Sequence, residues 1–468
     1  MIKLNIYVNM AGVPCPKIYK FRNERVNIMS KVVKFGGSSL ADAKQFKKVA
    51  DIIHADEERC YVVPSAPGKR FKEDTKVTDM LYHCYEEVQN GADFAKAFAP
   101  IKERYNGIIE ELGIELSLED EYVKVGKNFV AGAGRDYAAS RGEYLNGIVL
   151  AKYLGFEFVD AAKGIFFDNK GNFDGDITNA CLGAILDRTP KAVIPGFYGA
   201  MPDGSIKTFS RGGSDFTGSV VAKAVGASLY ENWTDVSGFL VADPRIVENP
   251  EGISTITYSE LRELSYMGAG VLHEDAIFPV RSANIPINIK NTNAPQDAGT
   301  FIVPTGTEPA SKYTITGIAG KKNFSAISIE KDRMNSNKGF MRRLLQVLEN
   351  HGIFPEHMPT GIDTVSVVVN SAELDGQRDK LTQRITEVVK PDHFEIIDNI
   401  ALIAVVGRGM KSVKGTAGRV FAALSHADIN IRMIDQGSSE LNIIVGIDEQ
   451  DFEKAIKVIY DMFMLSEQ

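Results

Sequence analysis

Cysteine is scarce in this chain. Cys15, Cys60, Cys84 and Cys181 are the four among 468 residues, and none lies within metal-ligand spacing of another. That excludes a disulfide framework and a cysteine-based zinc site, and it points to reduced thiols in the cytoplasm. No run approaches the roughly 20 apolar residues of a membrane-spanning helix. No basic block relieves a net charge of −8, so neither membrane nor nucleic acid is an expected partner. His273-Glu274 lacks a second histidine at metalloprotease spacing, and no Gly-x-x-x-x-Gly-Lys-Ser/Thr occurs. The zinc-peptidase and ordinary P-loop readings fall away with them, and no metal site built from protein side chains is read. The first 28 residues carry charges throughout and no continuous apolar core. They are expected to be a poorly ordered extension, not a secretory signal.

Two glycine turns stand out instead. Lys34-Phe35-Gly36-Gly37-Ser38-Ser39 follows the apolar pair Val32-Val33 and opens a helical pattern; Ser210-Arg211-Gly212-Gly213-Ser214-Asp215 opens another. Paired glycines between a strand and a helix start let backbone N–H groups approach an anion, and the helix N-terminus adds positive potential. A lysine in one turn and an Arg…Asp pair in the other point to phosphoryl transfer. Lys34 alone could be a solvated strand-end lysine. Beside the second turn it reads as an ammonium following the moving phosphoryl charge. Arg211 offers a fork matched to carboxylate or phosphate. Glu143, in Ser140-Arg141-Gly142-Glu143-Tyr144, taken alone reads as an ordinary helix glutamate.

The length implies about three domains. Residues 1–30 are the extension. Residues 31–310 alternate strands and helices: Lys31–Phe35, Tyr61–Val63, Gly155–Val159, Ala192–Pro195, Leu229–Trp233 and Pro286–Lys290 read as strands, 79–150 as mostly helical, and Ser39 as the cap of the first helix. An α/β fold with an open, largely parallel sheet follows, with ligands at the carboxyl ends of the strands. Beyond Pro304–Pro309 a pattern occurs twice. Leu348, Ile353 and Gly361 match Leu424, Ile429 and Gly437, each 76 positions later, and Val367–Val369 matches Ile443–Val445. This is a ferredoxin-like repeat, divided as 311–397 and 398–468. The first copy has four strand signals: Ala326–Glu330, Ile353–Met358, Val365–Asn370 and Phe394–Ile397. The second has three: Ile400–Val406, Ile429–Ile434 and Leu441–Ile447. The unpartnered strand Thr314–Ala319 is expected to supply the fourth, because a bare sheet edge invites association. The first copy would then be inserted within the second.

These stretches together resemble the aspartokinases of the amino-acid kinase family: Lys34–Ser39, Ser140–Glu143, Lys207–Phe216, Trp233–Arg245, the Val-Leu-His at 271–273, and Ile429–Ser439 in the second repeat. In that family the repeats are ACT domains. The resemblance implies ATP-dependent phosphorylation of the L-aspartate β-carboxylate, with ATP and Mg²⁺. It implies a monofunctional chain without a fused homoserine dehydrogenase, a homodimer or dimer of dimers through the ACT domains, and inhibition by an end product, L-lysine above all.

By position the resemblance assigns Lys34 and Asp215 to catalysis. Ser65, Thr78, Glu143, Arg211, Gly212, Gly213 and Ser214 fall to the substrate, with Glu143 on its ammonium and Arg211 on its carboxylates. Gly36, Gly37, Ser38, Thr234, Asp235, Asp243 and Arg245 fall to the phosphates and nucleotide. Met334, Gly339, Phe340, Glu356 and Thr360 would form the effector site. The attacking carboxylate, with a free pKa of ~3.9, is already ionised at neutral pH, so no base is needed. The chain departs from the family at Gly270, where a nucleotide-contacting lysine is usual, and at Ser210 and Leu240; the nucleotide affinity is where these would tell. Two other readings fit parts of the pattern: a kinase of glutamate or N-acetylglutamate, and an effector-binding protein with a degenerate kinase domain.

Overall fold

The computed structural model describes residues 30–210, 212–270, 272, 274–309 and 313–465. The expected N-terminal extension and Arg211 lie outside the described residues, as do Val271 and His273. The chain forms two compact units. One holds the chain up to Phe239, Ser254–Tyr258 and the stretch from Val271 to Glu308; the other holds Leu240–Ile253, Ser259–Gly270 and the chain from Pro309 onward.

In chain order the elements up to residue 309 are β1 (Lys31–Phe35), α1 (Ala43–His54), β2 (Arg59–Pro64), α2 (Val77–Gln89), α3 (Phe94–Leu112), α4 (Glu119–Val130), α5 (Arg135–Leu154), β3 (Glu157–Phe158), α6 (Gly175–Leu186), β4 (Ala192–Val193), β5 (Tyr198–Ala200), β6 (Ile206–Thr208), α7 (Gly213–Val225), β7 (Leu229–Thr234), β8 (Phe239–Leu240), β9 (Gly252–Ile253), β10 (Thr255–Thr257), α8 (Tyr258–Tyr266), α9 (Phe278–Ser282), β11 (Ile287–Asn291) and β12 (Thr300–Val303).

The first unit is the expected α/β layer structure. Its sheet runs β10-β12-β11-β7-β1-β2-β4-β3, parallel except where β12 meets β11. Val32, Val33, Phe35, Val62 and Val63 are buried because a parallel sheet is covered on both faces. The chain leaves β1 toward β2 on one side and returns to β7 on the other, so a crevice opens at the carboxyl end of β1. Helices α2–α5 share one core, in which Leu81, Tyr105, Phe129, Leu145 and Val149 are buried. One local expectation is corrected. Gly37–Leu40 forms a 3₁₀ turn, so α1 begins later and Asp42, not Ser39, caps it by accepting the Gln45 N–H. The Ser39 hydroxyl pairs instead with that of Thr292 at 2.8 Å.

The second unit is built on two 14-residue strands, β13 (Gly317–Glu330) and, after α10 (Phe340–Asn350), β14 (Thr364–Asn370) and α11 (Arg378–Val389), β15 (His393–Val406). α12 (Thr416–His426), β16 (Ile431–Asp435), β17 (Asn442–Asp448) and α13 (Phe452–Met464) follow. The sheet order is β14-β13-β15-β17-β16. The far half of β13, Phe324–Glu330, pairs with β14 and with His393–Ile397. Its near half, Gly317–Lys321, pairs with Leu402–Val406, which in turn pairs with β17. Each long strand therefore serves both repeats, and a strand ahead of the first copy completes the sheet of the second. Ile353–Met358 forms no continuous strand: His357 and Thr360 make single bridges to β14. Pro355 and Pro359 lack the N–H groups a ladder needs.

Leu240–Ile253 and Ser259–Gly270, expected within residues 31–310, group with this unit because their polar groups are satisfied there. The Ile318 N–H donates to the Val241 carbonyl at 2.7 Å. Glu260, fully buried on α8, accepts from the Thr316 hydroxyl at 2.6 Å, from the Arg408 N–H at 2.9 Å and from the Arg408 guanidinium at 2.9 Å. Asn442 donates to Glu263 at 2.6 Å.

Candidate active site

β1 carries Lys34 to the crevice. Its ammonium lies 2.6 Å from Asp215 Oδ1 and 3.4 Å from Asn232 Oδ1, while Asn232 Nδ2 donates to the same Asp215 oxygen at 2.9 Å. The parallel register of β1 and β7 sets Lys34 directly against Asn232, and Asp215 arrives from the first turn of α7. Lys34 and Asn232 are buried, whereas Asp215 remains partly exposed. An ammonium is thus held between two glycine turns, with its carboxylate partner fixed by an amide.

Both turns are shaped by close backbone approach. A Cβ on Gly37 would lie 2.9 Å from the Ala66 carbonyl oxygen, and one on Gly213 would lie 2.5 Å from Phe197 Cδ2. Gly212 caps α7 in the left-handed region, at φ 55°. Its neighbour Phe197 also holds a positive φ, 80°, which a bulky residue adopts at a cost of about 1–3 kcal/mol. The loop after β2 is clamped from α3: Arg104, buried, donates to the carbonyls of Ala41 and Gly68 at 2.8 Å each and to Asp74 at 2.9 Å. The Arg70 side chain, joined by burial-opposing contacts from Arg104, holds the Asp74 carboxyl far below the usual carboxylate range.

Glu143 sits on α5, 5% exposed. One of its oxygens has no partner among the described residues, and the Ala66 N–H hydrogen-bonds the carboxylate. Burial pushes its pKa up to about 8, against the Ala66 amide and the field of Arg141. A buried carboxylate with an unsatisfied oxygen is suited to a cationic ligand group. Thr78 lies near the preceding residue of α5: a Cβ on Gly142 would lie 3.8 Å from the Thr78 hydroxyl. Ser65 is tied to the site by its N–H, which donates to Phe35 O, and by its carbonyl, which accepts from Asn146.

The first unit therefore places Lys34, Gly36, Gly37, Ser38, Ser65, Thr78, Gly212, Gly213, Ser214 and Asp215 at strand ends and helix starts, while Glu143 comes from the middle of α5, against the Ala66 amide. Thr234 ends β7 and its hydroxyl donates to the Asp235 carboxylate at 3.1 Å. Asp243 and Arg245 belong to the second unit, where they pair with each other at 2.6 Å. Gly270 belongs there too, and a Cβ on it would meet nothing nearer than 4.0 Å. Of the effector candidates, Met334 and Phe340 are buried in the core beneath α10, and Gly339 caps that helix at φ 81°. Glu356 accepts from the Tyr266 hydroxyl, and Thr360 is exposed. Asn232, Arg104 and Asp74 were not singled out from the sequence. Asn232 emerges only from the β1–β7 register, which the fold sets.

No cluster of three or more His, Cys, Asp or Glu able to hold a metal occurs among the described residues, and no helix of theirs is long and apolar enough to cross a membrane. Residues 29–291 match the amino acid kinase family, and residues 403–463 match an ACT domain. Aspartokinase 3 of Bacillus subtilis is 38% identical over 448 residues, spanning 92% of this chain and 98% of its own. The crystal structure of Clostridium acetobutylicum aspartate kinase, described as an allosteric enzyme, matches with a TM-score of 0.85 at 56% identity, over 92% of this chain and 99% of that one. Escherichia coli aspartokinase III shares the fold, at TM-scores of 0.69 in complex with aspartate and ADP and 0.68 in complex with lysine and aspartate. Its identity is 23% and 24% respectively, and both comparisons cover 92% of this chain and 99% of that one.

Proposed function

The chain belongs to the aspartokinases of the amino acid kinase family, and from that premise we propose that it transfers the γ-phosphoryl group of ATP to the β-carboxylate of L-aspartate, giving 4-phospho-L-aspartate and ADP. The observation that carries the reading is the Lys34 ammonium held by Asp215 and Asn232 between two glycine turns. A carboxylate oxygen of aspartate attacks the γ-phosphorus while the bond to the bridging oxygen of ADP breaks. The obstacle is the approach of an anion to a polyanion, and positioned positive charge lowers it. Lys34 follows the transferred phosphoryl. The amides of Gly36, Gly37 and Ser38 and the N-terminus of α7 face anionic oxygens. Arg211 and the Gly212–Ser214 turn take the substrate carboxylates. Thr234, Asp235, Asp243 and Arg245 are assigned to the nucleotide.

Mg²⁺ typically takes one or two carboxylates together with substrate phosphates, and the partly exposed Asp215 is the group suited to it. When bound, the ion neutralises developing phosphate charge. Initial rates with ATP and aspartate, glutamate or N-acetylglutamate test the substrate. Aspartyl hydroxamate formation above the other two supports the reading, and its absence with any substrate overturns it.

Glu143 receives the aspartate ammonium. Glu143→Ala is expected to weaken aspartate by about 1.5–3 kcal/mol, the worth of a charge-assisted hydrogen bond, and to leave the KM for ATP close to wild type. Because the Glu143 pKa is raised to about 8, the empty enzyme holds this carboxyl mostly protonated at pH 7. Pairing it with an ammonium releases that proton. Calorimetric titration with aspartate in buffers of different ionisation enthalpy reads the release, and a variant that keeps it removes Glu143 from the ammonium site.

The ACT repeats carry the feedback inhibition, with lysine as effector, in a homodimer or dimer of dimers joined through these domains. Glu356 is the carboxylate for the lysine ε-ammonium, and it accepts a hydrogen bond from the Tyr266 hydroxyl. Glu356→Ala is expected to relieve lysine inhibition with the uninhibited rate retained. Undiminished inhibition in that variant removes Glu356 from the effector site.

A further inference from the structure

Asn146 is a buried amide that the phosphoryl-transfer scheme does not use. It lies on α5 with no exposed surface. Its Nδ2 donates to the Ser65 carbonyl at 2.7 Å, while its Oδ1 is buried with no partner among the described residues. The acceptor is a carbonyl oxygen, so the amino end of the amide must face it. One turn further along the same face of α5, Val149 and Leu150 are buried and apolar. An apolar side chain would suit that surface, whereas an amide with one end unpaired carries a desolvation cost. The stability of α5 therefore does not call for asparagine here; the bond to Ser65 does.

That bond is one of two that hold a single peptide unit. Glu143, three positions before Asn146 and on the same face of α5, accepts from the Ala66 N–H. The Ser65 carbonyl and the Ala66 N–H are the two polar ends of one planar peptide and point in opposite directions. The peptide lies as a bar between the two side chains, its carbonyl on Asn146 and its N–H on Glu143. Once Glu143 has given up its proton to pair with an ammonium it can only accept, so only this orientation of the peptide serves it. The other side of the same loop is sewn to the first glycine turn. The Ser65 N–H donates to the Phe35 carbonyl at 3.0 Å and the Gly68 N–H to the Gly37 carbonyl at 2.8 Å. A Cβ on Gly37 would lie 2.9 Å from the Ala66 carbonyl oxygen, and one on Gly142 would lie 2.7 Å from Ala66 Cβ. The loop thus ties the helix bearing Glu143 to the turn assigned to the phosphates.

We propose that Asn146 is a positioning residue for the amino-acid substrate: by holding the Ser65 carbonyl it turns the Ala66 N–H onto one oxygen of Glu143 and leaves the other for the substrate ammonium. The proposal rests on the reading of Glu143 as the ammonium site. Oε2 is the oxygen of Glu143 without a partner among the described residues. Asn146, with no exposed surface, does not touch the substrate. It acts through the peptide.

The test compares two ligands: L-aspartate, and succinate, the same dicarboxylate without the ammonium. The dissociation constant of aspartate is measured by calorimetric titration and that of succinate by displacement of aspartate. Steady-state kinetics and the thermal midpoint are recorded in parallel, for wild type, Asn146→Leu, Glu143→Ala and the double variant. Asn146→Leu is expected to weaken aspartate about tenfold and succinate by less than about twofold. The KM for aspartate, not kcat or the KM for ATP, carries the loss. The thermal midpoint stays near wild type, because the Ser65 carbonyl loses its side-chain partner while a buried, unpaired amide oxygen is removed. In the double variant aspartate binds no more weakly than in Glu143→Ala, since Asn146 acts through that residue. If Asn146→Leu does not accumulate as folded protein, Asn146→Ala carries the same expectation for the two ligands. Equal weakening of aspartate and succinate, additive losses in the double variant, or an unchanged aspartate constant makes Asn146 a packing residue and overturns the proposal. Glu143→Ala with wild-type aspartate affinity strikes instead at the ammonium assignment, so the two failures are told apart.

Discussion

Lys34→Ala is expected to lower kcat by about 10²–10³, equivalent to about 2.7–4 kcal/mol of transition-state stabilisation, with the fold retained. The ammonium is the positive group that β1 presents to the crevice, within 2.6 Å of Asp215 and against Asn232 across the β1–β7 register. Its loss removes a contact that strengthens as charge moves onto the transferred phosphoryl, so kcat falls more than KM rises. Lys34 and Asp215 act as one unit. Asp215→Ala should therefore cost a comparable factor, and the double variant little more than the worse single. The measurement is steady-state turnover by ATP-dependent hydroxamate formation, with circular dichroism and a thermal midpoint to confirm folding. A folded Lys34→Ala protein with wild-type turnover would remove Lys34 from the chemistry, and additive losses would separate it from Asp215.

The second large effect is on stability, in the unit that carries the repeats. Arg408→Ala is expected to destabilise that unit by about 3 kcal/mol. This is the lower end of the range for stripping one partner from a buried ion pair, because the Thr316 hydroxyl and the Arg408 backbone amide still reach Glu260. Glu260 has no exposed surface, so its charge cannot be rehydrated where it stands. The variant should show a lowered unfolding midpoint, and adding Glu260→Gln to it should recover much of the loss, since the uncompensated anion is the source of the penalty. Hydrogen exchange in α8 and β15, compared with that in β1 and β2, would localise the effect. A loss below about 1 kcal/mol would place this pair with ordinary surface ion pairs.

Much of the chemistry was legible in the linear sequence because it depends on short-range constraints. The two glycine turns are backbone devices, set by residues adjacent in the chain, and each appears at a strand end or helix start in the fold. The strand signals at Tyr61–Val63, Leu229–Trp233 and Pro286–Lys290 correspond to β2, β7 and β11, since β-branched and aromatic runs fill a sheet buried on both faces. The doubled repeat shows in the same way, through apolar positions recurring in register. The cap of α1 was misplaced by three residues: Gly37–Leu40 closes as a 3₁₀ turn, and the Ser39 hydroxyl is taken by Thr292, just after β11 and 253 positions away in the chain.

What the sequence by itself determined, then, is the class of the fold, the two glycine turns and the lysine, Lys34, at the end of the first strand. Those follow from local backbone freedom, from side-chain periodicity and from the charge at a strand end. The tertiary structure alone decided the partners of the charges. Asn232 reaches Lys34 because β7 lies beside β1; Arg141 meets an aromatic ring because β5 brings Tyr198 over α5; Glu260 meets Arg408 across 148 positions; and Glu143 acquires its raised pKa because the fold buries it. A buried charge is defined by what replaces its water, and that replacement comes from elements far away in the chain.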